Sequence, residues 1–357
     1  MTGLYVGSTA PFSGKNLFIA ALGLHYKRKG LSVGYMKPVG ASPAKDAATN
    51  ALLDQDAAFI QQVLGLEQDP GQVTPVVVTQ EFLAKAFASG CGDMMAQVGE
   101  SFRTLSQNKD LMLVGGSGDL LNSGKYCGLE GTSVARVLGL KTLVVDRYGA
   151  NGINYDAILA AKEQLGDSLA GCAFTDVPPE HLDEVRGFIQ PFMERRGVPV
   201  LGMIPRDPFV GGIAIEDLAA GLDATVICSP QATDTIVEDV LIGTMQVENF
   251  MIHFQRRTHS AVVVGGDRSD IQLVALEGGC PCLILTGNLY PNGMILSRSE
   301  TLERPIVVAK QDTYTAVRRI GHVWQQQKFR DQAKIAKGAE LVASALDFPA
   351  LERQLEM

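Results

Sequence analysis

Residues 7–16 read GSTAPFSGKN, and this stretch decides the fold of the N-terminal half. The apolar run at 4–6 before it predicts a strand, and the pattern over 15–28 after it predicts a helix. The backbone N–H groups of such a loop and the helix N-terminus attract phosphate oxygens, and the lysine reaches the outer phosphates. The stretch therefore predicts a P-loop. Its candidate phosphate-binding residues are Ser13, Gly14, Lys15 and Asn16.

The loop departs from the pattern G-x-x-x-x-G-K-[ST] at two positions. Thr9 stands where the first glycine belongs, and Asn16 replaces the hydroxyl residue that normally ligates Mg²⁺. The side-chain oxygen of an asparagine can coordinate a metal ion, whereas its amide nitrogen cannot. The sequence therefore argues less for Mg²⁺ than for phosphate. The alternative from the residues alone is a Gly-Lys turn that only caps the helix.

Composition limits the classes of function. The chain has 357 residues, of which 46% are hydrophobic and 20% charged, enough for packed cores in about two domains. A formal net charge of −8 and a pI near 5.2 argue against a nucleic-acid partner. No apolar run approaches the ~20 residues of a membrane span, and no signal peptide is visible, so we expect a cytoplasmic protein. We expect the six cysteines to be reduced and mostly buried, not a disulfide framework.

Apolar strand patterns alternate with helical patterns along most of the chain. Such alternation is typical of an α/β fold, here with a mainly parallel sheet sandwiched by helices. The pattern pauses at a Pro-rich hinge near 205–208 and then begins again. We therefore expect a P-loop domain over residues 1–207, a smaller α/β domain over 208–320 and a helical tail over 321–357.

Three further motifs join the P-loop in pointing to a known family. Residues 36–40 read MKPVG, residues 53–58 read LDQDAA and residues 202–207 read GMIPRD. With residues 7–16 they resemble the dethiobiotin-synthetase-like (BioD-like) P-loop domain of the MinD/BioD superfamily. Within that group they most resemble the version at the N-terminus of long bacterial phosphate acetyltransferases.

The resemblance implies roles for five residues. Lys37 would help to hold phosphate, and a lysine at the carboxyl end of a strand also points into the crevice where such sheets bind ligands. Asn16 and Asp54 would surround any Mg²⁺. Thr175 and Pro205 would lie at the nucleotide site. The implied cofactor is ATP or another nucleotide.

Departures from the family argue against a working ATPase. The carboxylate that follows the central strand in dethiobiotin synthetases is replaced by Gly115, and Asp119 comes four residues later. The adenine-reading asparagine aligns with Thr175, which lacks the paired donor and acceptor of an amide. We therefore lean against an enzyme.

The second domain resembles the DRTGG domain that follows the P-loop domain in the same acetyltransferases. Residues 264–272 read VGGDRSDIQ and residues 283–288 read LILTGN. From the residues alone, Asp267 can cap the following helix, and Arg268 either holds an anion or pairs with Asp270. If the two strands are parallel neighbours, their loops form a groove for a small ligand or a partner segment; the alternative is an ion pair that only stabilises a turn. The candidate groove residues are Gly266, Asp267, Arg268, Asp270, Thr286 and Gly287.

Three hypotheses for function remain. The first is a non-catalytic or weakly catalytic regulatory protein that binds a phosphate-bearing ligand, a protein partner or both. The second is an ATP-dependent enzyme of the dethiobiotin-synthetase type that acts on an unknown carboxylate, and the third is an assembly module with a vestigial P-loop. Because about 38 residues follow position 319, we expect no acetyl-transfer domain. Domains of this superfamily usually pair, which favours a homo-oligomer.

Overall fold

The computed structural model describes residues 1–46, 50–149, 153–257, 259–326 and 330–357. These residues fall into two compact units. Unit 1 consists of Met1–Arg206 and Phe329–Met357, and unit 2 consists of Asp207–Lys328. The C-terminal segment, which the sequence analysis treats as a separate tail, therefore belongs to unit 1.

Unit 1 is built from strands and helices that alternate as the hydrophobic pattern predicts. Its strands are β1 (Thr2–Gly7), β2 (Val33–Met36), β3 (Val39–Gly40), β4 (Pro43–Lys45), β5 (Leu52–Asp54), β6 (Val76–Val77), β7 (Leu111–Gly115), β8 (Lys141–Arg147), β9 (Leu169–Val177) and β10 (Val200–Pro205). Its helices before unit 2 are α1 (Lys15–Arg28), α2 (Gln55–Leu64), α3 (Pro70–Val73), α4 (Gln80–Ser89), α5 (Met94–Leu105), α6 (Gly131–Val137), α7 (Ile153–Leu165), α8 (Leu182–Glu184) and α9 (Gln190–Arg195).

The central sheet of unit 1 has six strands in the order β10-β9-β8-β1-β7-β2, and every neighbouring pair is parallel. Strands covered on both faces are apolar almost throughout, as β7 shows with all its residues buried. The strand β1 lies between β7 and β8, so the P-loop sits at the middle of the carboxyl edge. Two small pairs, β3 with β6 and β4 with β5, stand apart from this sheet. The α/β prediction is confirmed.

Unit 2 contains a second, smaller sheet and a separate antiparallel pair formed by its first and third strands. Its strands are β11 (Ile213–Ala214), β12 (Thr225–Cys228), β13 (Ile236–Val237), β14 (Asp239–Ile242), β15 (Ser260–Gly265), β16 (Leu283–Thr286) and β17 (Ile306–Val308). Its helices are α10 (Pro208–Gly211), α11 (Ile215–Leu222), α12 (Val247–Phe254), α13 (Ser269–Glu277), α14 (Gly293–Thr301) and α15 (Thr313–Gln325). The sheet order is β12-β17-β16-β15-β14, with only β12 antiparallel to its neighbour among the described residues. One buried cluster contains Phe250 and Ile271, and another contains Leu218 and Ile320.

After unit 2 the chain returns to unit 1 as α16 (Gln332–Ala345) and α17 (Phe348–Leu355). Helix α16 packs on α1, where a side chain at Gly338 would collide with Leu17. The ring of Phe348 stacks on His25 with centroids 3.6 Å apart. A bridge between Gly202 and residue 346 extends the edge of β10. The two helices therefore cover the P-loop helix and one edge of the sheet.

The cysteines depart in part from expectation. Cys91 and Cys127 form a disulfide, so the prediction of six unpaired thiols is wrong for this pair. They lie 36 residues apart in the sequence, next to glycines, and only the fold brings their Cα atoms to 5.5 Å. Cys172, Cys228, Cys280 and Cys282 are buried free thiols, as expected.

None of the described helices combines the length and the apolar character that a membrane crossing requires.

Candidate functional site

The P-loop joins the end of β1 to the start of α1. Gly14 precedes α1 with a φ of 93°, a left-handed conformation that strongly favours glycine. No side chain caps this helix, and its first turn contains no acidic residue. The first turn therefore presents backbone N–H groups and the positive end of the helix dipole to an anion.

Lys15 is the central side chain of the loop. Its Nζ donates to Ser8 Oγ at 2.6 Å and to the carbonyl oxygen of Gly118 at 2.9 Å. Burial lowers the pKa of Lys15 to about 8, although Asp146 and other carboxylates at longer range oppose this shift. Within the part of the chain that the structure describes, no carboxylate lies within 4.0 Å of Nζ. Lys15 is thus a partly buried cation in contact with neutral oxygens.

Asp146, which the sequence analysis missed, faces the same loop from β8. It is fully buried and accepts hydrogen bonds from Thr9 N at 3.0 Å and Thr9 Oγ1 at 2.5 Å. Burial raises the pKa of Asp146 to about 6, although the hydrogen bonds from Thr9 oppose the shift. The available signal is an acidic residue directly after the apolar run at 142–145. One N–H group of the loop is therefore occupied by a carboxylate of the chain itself.

Thr175 lies on β9 underneath the loop. Its hydroxyl donates to the carbonyl oxygen of Ser13 at 3.1 Å, and its methyl group lies beside Gly14. The hydroxyl of Thr175 is thus engaged in a hydrogen bond within the protein. Pro205 ends β10 and pairs with Val177 of β9, at the far edge of the sheet from β1. The structure therefore brings Thr175 to the P-loop, whereas Pro205 ends the edge strand β10.

Lys37 belongs to a separate buried cluster beyond β2. Its Nζ lies 2.8 Å from Asp54 Oδ1 and 3.1 Å from Asp56 Oδ2. Asp54 also caps α2 by accepting from Ala57 N at 2.9 Å, and it accepts from Ser42 N at 2.8 Å. Both oxygens of Asp54 are therefore already engaged by protein groups. Lys37 is neutralised by two carboxylates, in contrast to Lys15.

Arg330, from the returning C-terminal segment, completes this cluster. Its Nε lies 2.7 Å from Asp56 Oδ1. Burial alone would raise the pKa of Asp56, but the charges of Lys37 and Arg330 outweigh it and lower that pKa below its usual range. The sequence does not identify Asp56 or Arg330 as a site residue. The two are far apart in the sequence, and they meet only because the chain returns to unit 1 after unit 2.

The carboxylates that the sequence analysis considers for a magnesium ion are missing or engaged by protein groups. Gly115 ends β7 without a carboxylate. The two oxygens of Asp119 accept from Leu121 N and from the side-chain amide of Asn122, both at 2.7 Å. Across the described ranges, no group of three or more His, Cys, Asp or Glu residues is arranged to hold a metal. The loop itself, with Gly14 and Lys15, does fit a phosphate group.

A cavity of about 370 Å³ opens beside the loop, on the side of β7 and β2. Its wall includes Gly118, the residue whose carbonyl oxygen accepts from Lys15. None of the described lining residues carries a charge: they are Tyr5, Pro38, Val39, Ala41, Val78, Gly115, Ser117, Gly118, Asn122, Ser123, Gly124, Tyr126, Leu129 and Val134. The cavity is therefore suited to an uncharged group with hydrogen-bonding atoms.

In unit 2 the two predicted loops lie on one sheet edge, because β15 and β16 are parallel and Gly265 pairs with Thr286. Arg268 pairs with Asp270 at 2.9 and 2.8 Å. The prediction that Asp267 caps α13 is wrong, because Arg268 is the N-cap residue and no side chain caps the helix.

The loop after β16 packs closely against the loop after β15. A side chain at Gly266 would collide with the backbone of Leu289. Thr286 is buried and its hydroxyl lies 2.8 Å from that of Thr313, and Gly287 N donates to the carbonyl oxygen of Gln311 at 2.7 Å. The glycine at 266 is therefore explained by close packing.

Two family models match this chain. The model of the AAA domain family matches residues 2–214, and the model of the DRTGG domain matches residues 217–323. The chain is 21% identical over 358 residues to a phosphate acetyltransferase of Synechocystis sp., covering 96% of this chain and 50% of that protein. It is 29% identical over 181 residues to the ATP-dependent dethiobiotin synthetase BioD of Frankia casuarinae, covering 50% of this chain and 74% of that protein.

Among solved structures, the chain resembles the CBS and DRTGG domains of the regulatory region of Clostridium perfringens pyrophosphatase, complexed with its activator diadenosine tetraphosphate. The identity is 18% and the TM-score 0.29, covering 43% of this chain and 72% of that chain. A TM-score this low carries no argument about this chain.

The motif-based resemblance is confirmed by these matches. The chain spans about half the length of the phosphate acetyltransferase it matches. Because the AAA domain model covers more than half of the residues, the chain belongs to that family, as a BioD-like P-loop domain followed by a DRTGG domain.

Proposed function

We propose that unit 1 binds the phosphate group of a nucleotide or another small ligand without hydrolysing it, and that the chain is regulatory. The observation that carries this proposal is the partly buried Lys15, whose Nζ, among the described residues, donates to the neutral oxygens of Ser8 and Gly118 and pairs with no carboxylate. A buried charge is stabilised by an opposite charge in contact with it. A bound phosphate would supply that charge, and the N–H groups at the start of α1 would hold its remaining oxygens.

The absence of hydrolysis in this proposal rests on the missing metal ligands. Phosphoryl transfer depends on a cation that neutralises the developing charge. Asn16 replaces the hydroxyl ligand, Gly115 replaces the carboxylate, and Asp54 is engaged by Lys37 and by the N-terminus of α2. A ligand would therefore be bound and released unchanged, which suits a sensor.

Two relatives bear on this proposal. One matched protein is an ATP-dependent enzyme and another is an acetyltransferase of about twice the length of this chain. Acetyl transfer is a property of that longer protein. For this chain we propose ligand sensing in unit 1 and, through unit 2, contact with a protein partner or a second copy.

Thermal unfolding with ATP, ADP and pyrophosphate, each with and without Mg²⁺, tests the proposal. A ligand at about 100 times its Kd stabilises the folded state by about 2.7 kcal/mol, which raises the unfolding temperature. We expect such a rise without Mg²⁺ for at least one of the three, and its loss in Lys15→Ala. Lys125→Ala removes an exposed lysine and serves as the matched control.

Two other results would contradict this function. Mg²⁺-dependent release of phosphate from ATP, abolished by Lys15→Ala, would favour an ATP-dependent enzyme acting on a carboxylate. No rise with any of the three compounds would favour an assembly module with a vestigial P-loop.

A further inference from the structure

The disulfide joins two segments beside the uncharged cavity. Cys91 lies in the linker between α4 and α5. Cys127 ends the short 3₁₀ turn Lys125–Cys127, whose Tyr126 forms part of the cavity wall. The bond therefore attaches the wall of the cavity to a helix pair that contributes little else to it.

Few other contacts hold this wall across the sequence. Helix α4 buries none of its residues. The rings of Phe87 and Tyr126 approach to 5.6 Å between centroids, but these side chains are 72% and 48% exposed. The backbone hydrogen bonds of the turn are local, such as Cys127 N to Gly124 O at 2.9 Å. The disulfide is thus the main covalent link between the turn and a part of the chain that is distant in sequence.

Four glycines surround the two cysteines. Gly124 and Gly128 flank the turn with φ values of 89° and 67°, and Gly90 and Gly92 flank Cys91 with φ values of 80° and 63°. Glycines in this region lose the most conformational freedom on ordering, so releasing them is favourable in entropy. A bond that closes a 36-residue loop removes much of that freedom.

We propose that Cys91 and Cys127 form a thiol–disulfide exchange site, which takes a dithiol reductant and controls access to the cavity through Tyr126. One thiolate of the reductant attacks a sulfur of the pair, the S–S bond breaks and the second cysteine leaves as a thiolate that takes up a proton. The second thiol of the reductant, as a thiolate, then attacks the reductant's own sulfur in the mixed disulfide, and the first cysteine leaves as a thiolate that takes up a proton. Two electrons pass to the protein, which ends with two thiols, and the reductant ends as a disulfide.

The structure links this site to the phosphate loop through one residue. Gly118 lines the cavity and its carbonyl oxygen accepts from Lys15. Opening of the wall would therefore alter the surroundings of the P-loop lysine. Reduction of this disulfide does not depend on phosphate binding.

Limited trypsin digestion of the whole chain reads the state of the turn. Lys125 is exposed inside it and gives a cleavage site. Air-oxidised protein is compared with protein that is reduced by dithiothreitol and alkylated. We expect cleavage after Lys125 to be about tenfold faster or more in the reduced form, because proteolysis follows the population of opened segments. Cleavage after the exposed Arg257 in unit 2 should not change.

Thiol counting gives the second readout. Ellman's reagent under native conditions should find no reactive thiol in the oxidised protein and two after reduction, since the other four cysteines are buried. A Cys91→Ser/Cys127→Ser double variant should be cleaved at the fast rate with or without reductant. Cys228→Ala, which removes a buried thiol elsewhere, should keep the response to reduction.

Two results would overturn the proposal. One is an equal rate of cleavage after Lys125 in the oxidised and reduced forms, while thiol counting shows that the bond was broken. The other is two reactive thiols at Cys91 and Cys127 in protein that has been oxidised in air.

Discussion

Lys15 and Lys37 are both largely withdrawn from solvent in unit 1, yet their neighbours give them different roles. Lys37 contacts two carboxylates, whereas Lys15 contacts a hydroxyl and a carbonyl oxygen. A buried pair that is already neutral gains little from a further ion, but an unpaired buried charge gains much. The difference identifies Lys15 as the residue that an anion would stabilise.

The pKa of Lys15 gives this idea a testable pH dependence. Burial lowers that pKa to about 8, and a bound anion would favour the protonated form. Below pH 8 the lysine is already charged, and above pH 8 binding must take up a proton. We expect the affinity for metal-free ATP, measured by calorimetry, to fall by about tenfold per pH unit from pH 8 to 9.5.

A variant separates this lysine from other titrating groups. Lys15→Arg keeps its charge over the whole range, so its affinity should not depend on pH between 8 and 9.5. Asp146, whose pKa is raised to about 6 by burial, is ionised throughout and contributes no slope. The same slope in Lys15→Arg and in the natural chain would contradict the assignment.

How far the sequence predicts the site depends on how each residue is placed. Gly14 and Lys15 are predictable because strand, loop and helix are contiguous in the chain. Asp146 reaches the loop from β8, and nothing in the sequence specifies that β8 is the neighbour of β1. Asp54 was expected near a metal, but only the structure shows Lys37 at 2.8 Å, which occupies it.

At the scale of elements, the cluster around Lys37 ties three segments together. Lys37 follows β2, Asp54 caps α2, and Arg330 begins the returning segment. Each contact links segments that are not paired with each other as strands of a sheet. The cluster therefore fixes the edge of the sheet.

Replacing Lys37 tests this structural role. In Lys37→Met, Asp54 loses its cationic partner while Asp56 keeps Arg330, and breaking a buried pair on one side costs about 3–5 kcal/mol. Lys29 and Glu352 form an exposed pair, for which Lys29→Met should cost about 0–1 kcal/mol. Urea unfolding measures both free energies. Equal losses in the two variants would show that the cluster is not structural.

The long elements follow from sequence pattern, and the short ones do not. The helix predicted over 15–28 is α1 as observed, and the strand predicted at 4–6 lies within β1. The two-residue strands β3 and β6 are too short to show a period, so only their pairing defines them. Helix α4 escaped notice because none of its residues is buried.

At the scale of the whole molecule, the return of the chain makes unit 1 discontinuous. The sequence predicts the hinge near 207, because composition changes there, and unit 2 begins at Asp207. It does not predict where α16 and α17 pack, because an amphipathic helix specifies an apolar face and not its partner.

Removal of residues 330–357 should unfold unit 1 and leave unit 2 folded. The deletion exposes the face of α1 that carries His25 and Leu17. Trp324, the single tryptophan, donates to the carbonyl oxygen of Gly211 within unit 2, so its fluorescence reports on unit 2 alone. We expect its unfolding transition to be kept, while deuterium exchange of β1 becomes fast.

A milder variant provides the control for this deletion. Phe348→Ala should lower the free energy of unfolding of unit 1 by about 3–5 kcal/mol, because Phe348 is buried against His25. Phe188→Ala, at an exposed position, should change it little. Protection of β1 in the truncated chain would show that α16 and α17 are dispensable.

The return of α16 and α17 has a consequence for biosynthesis. A ribosome makes the P-loop helix early, but it delivers the two helices that cover this helix only after all of unit 2 has been translated. During that interval the nascent polypeptide carries an uncovered apolar flank, which is where chaperones would be expected to engage. Unit 2 can close first, and the segment that began folding first is the last to finish.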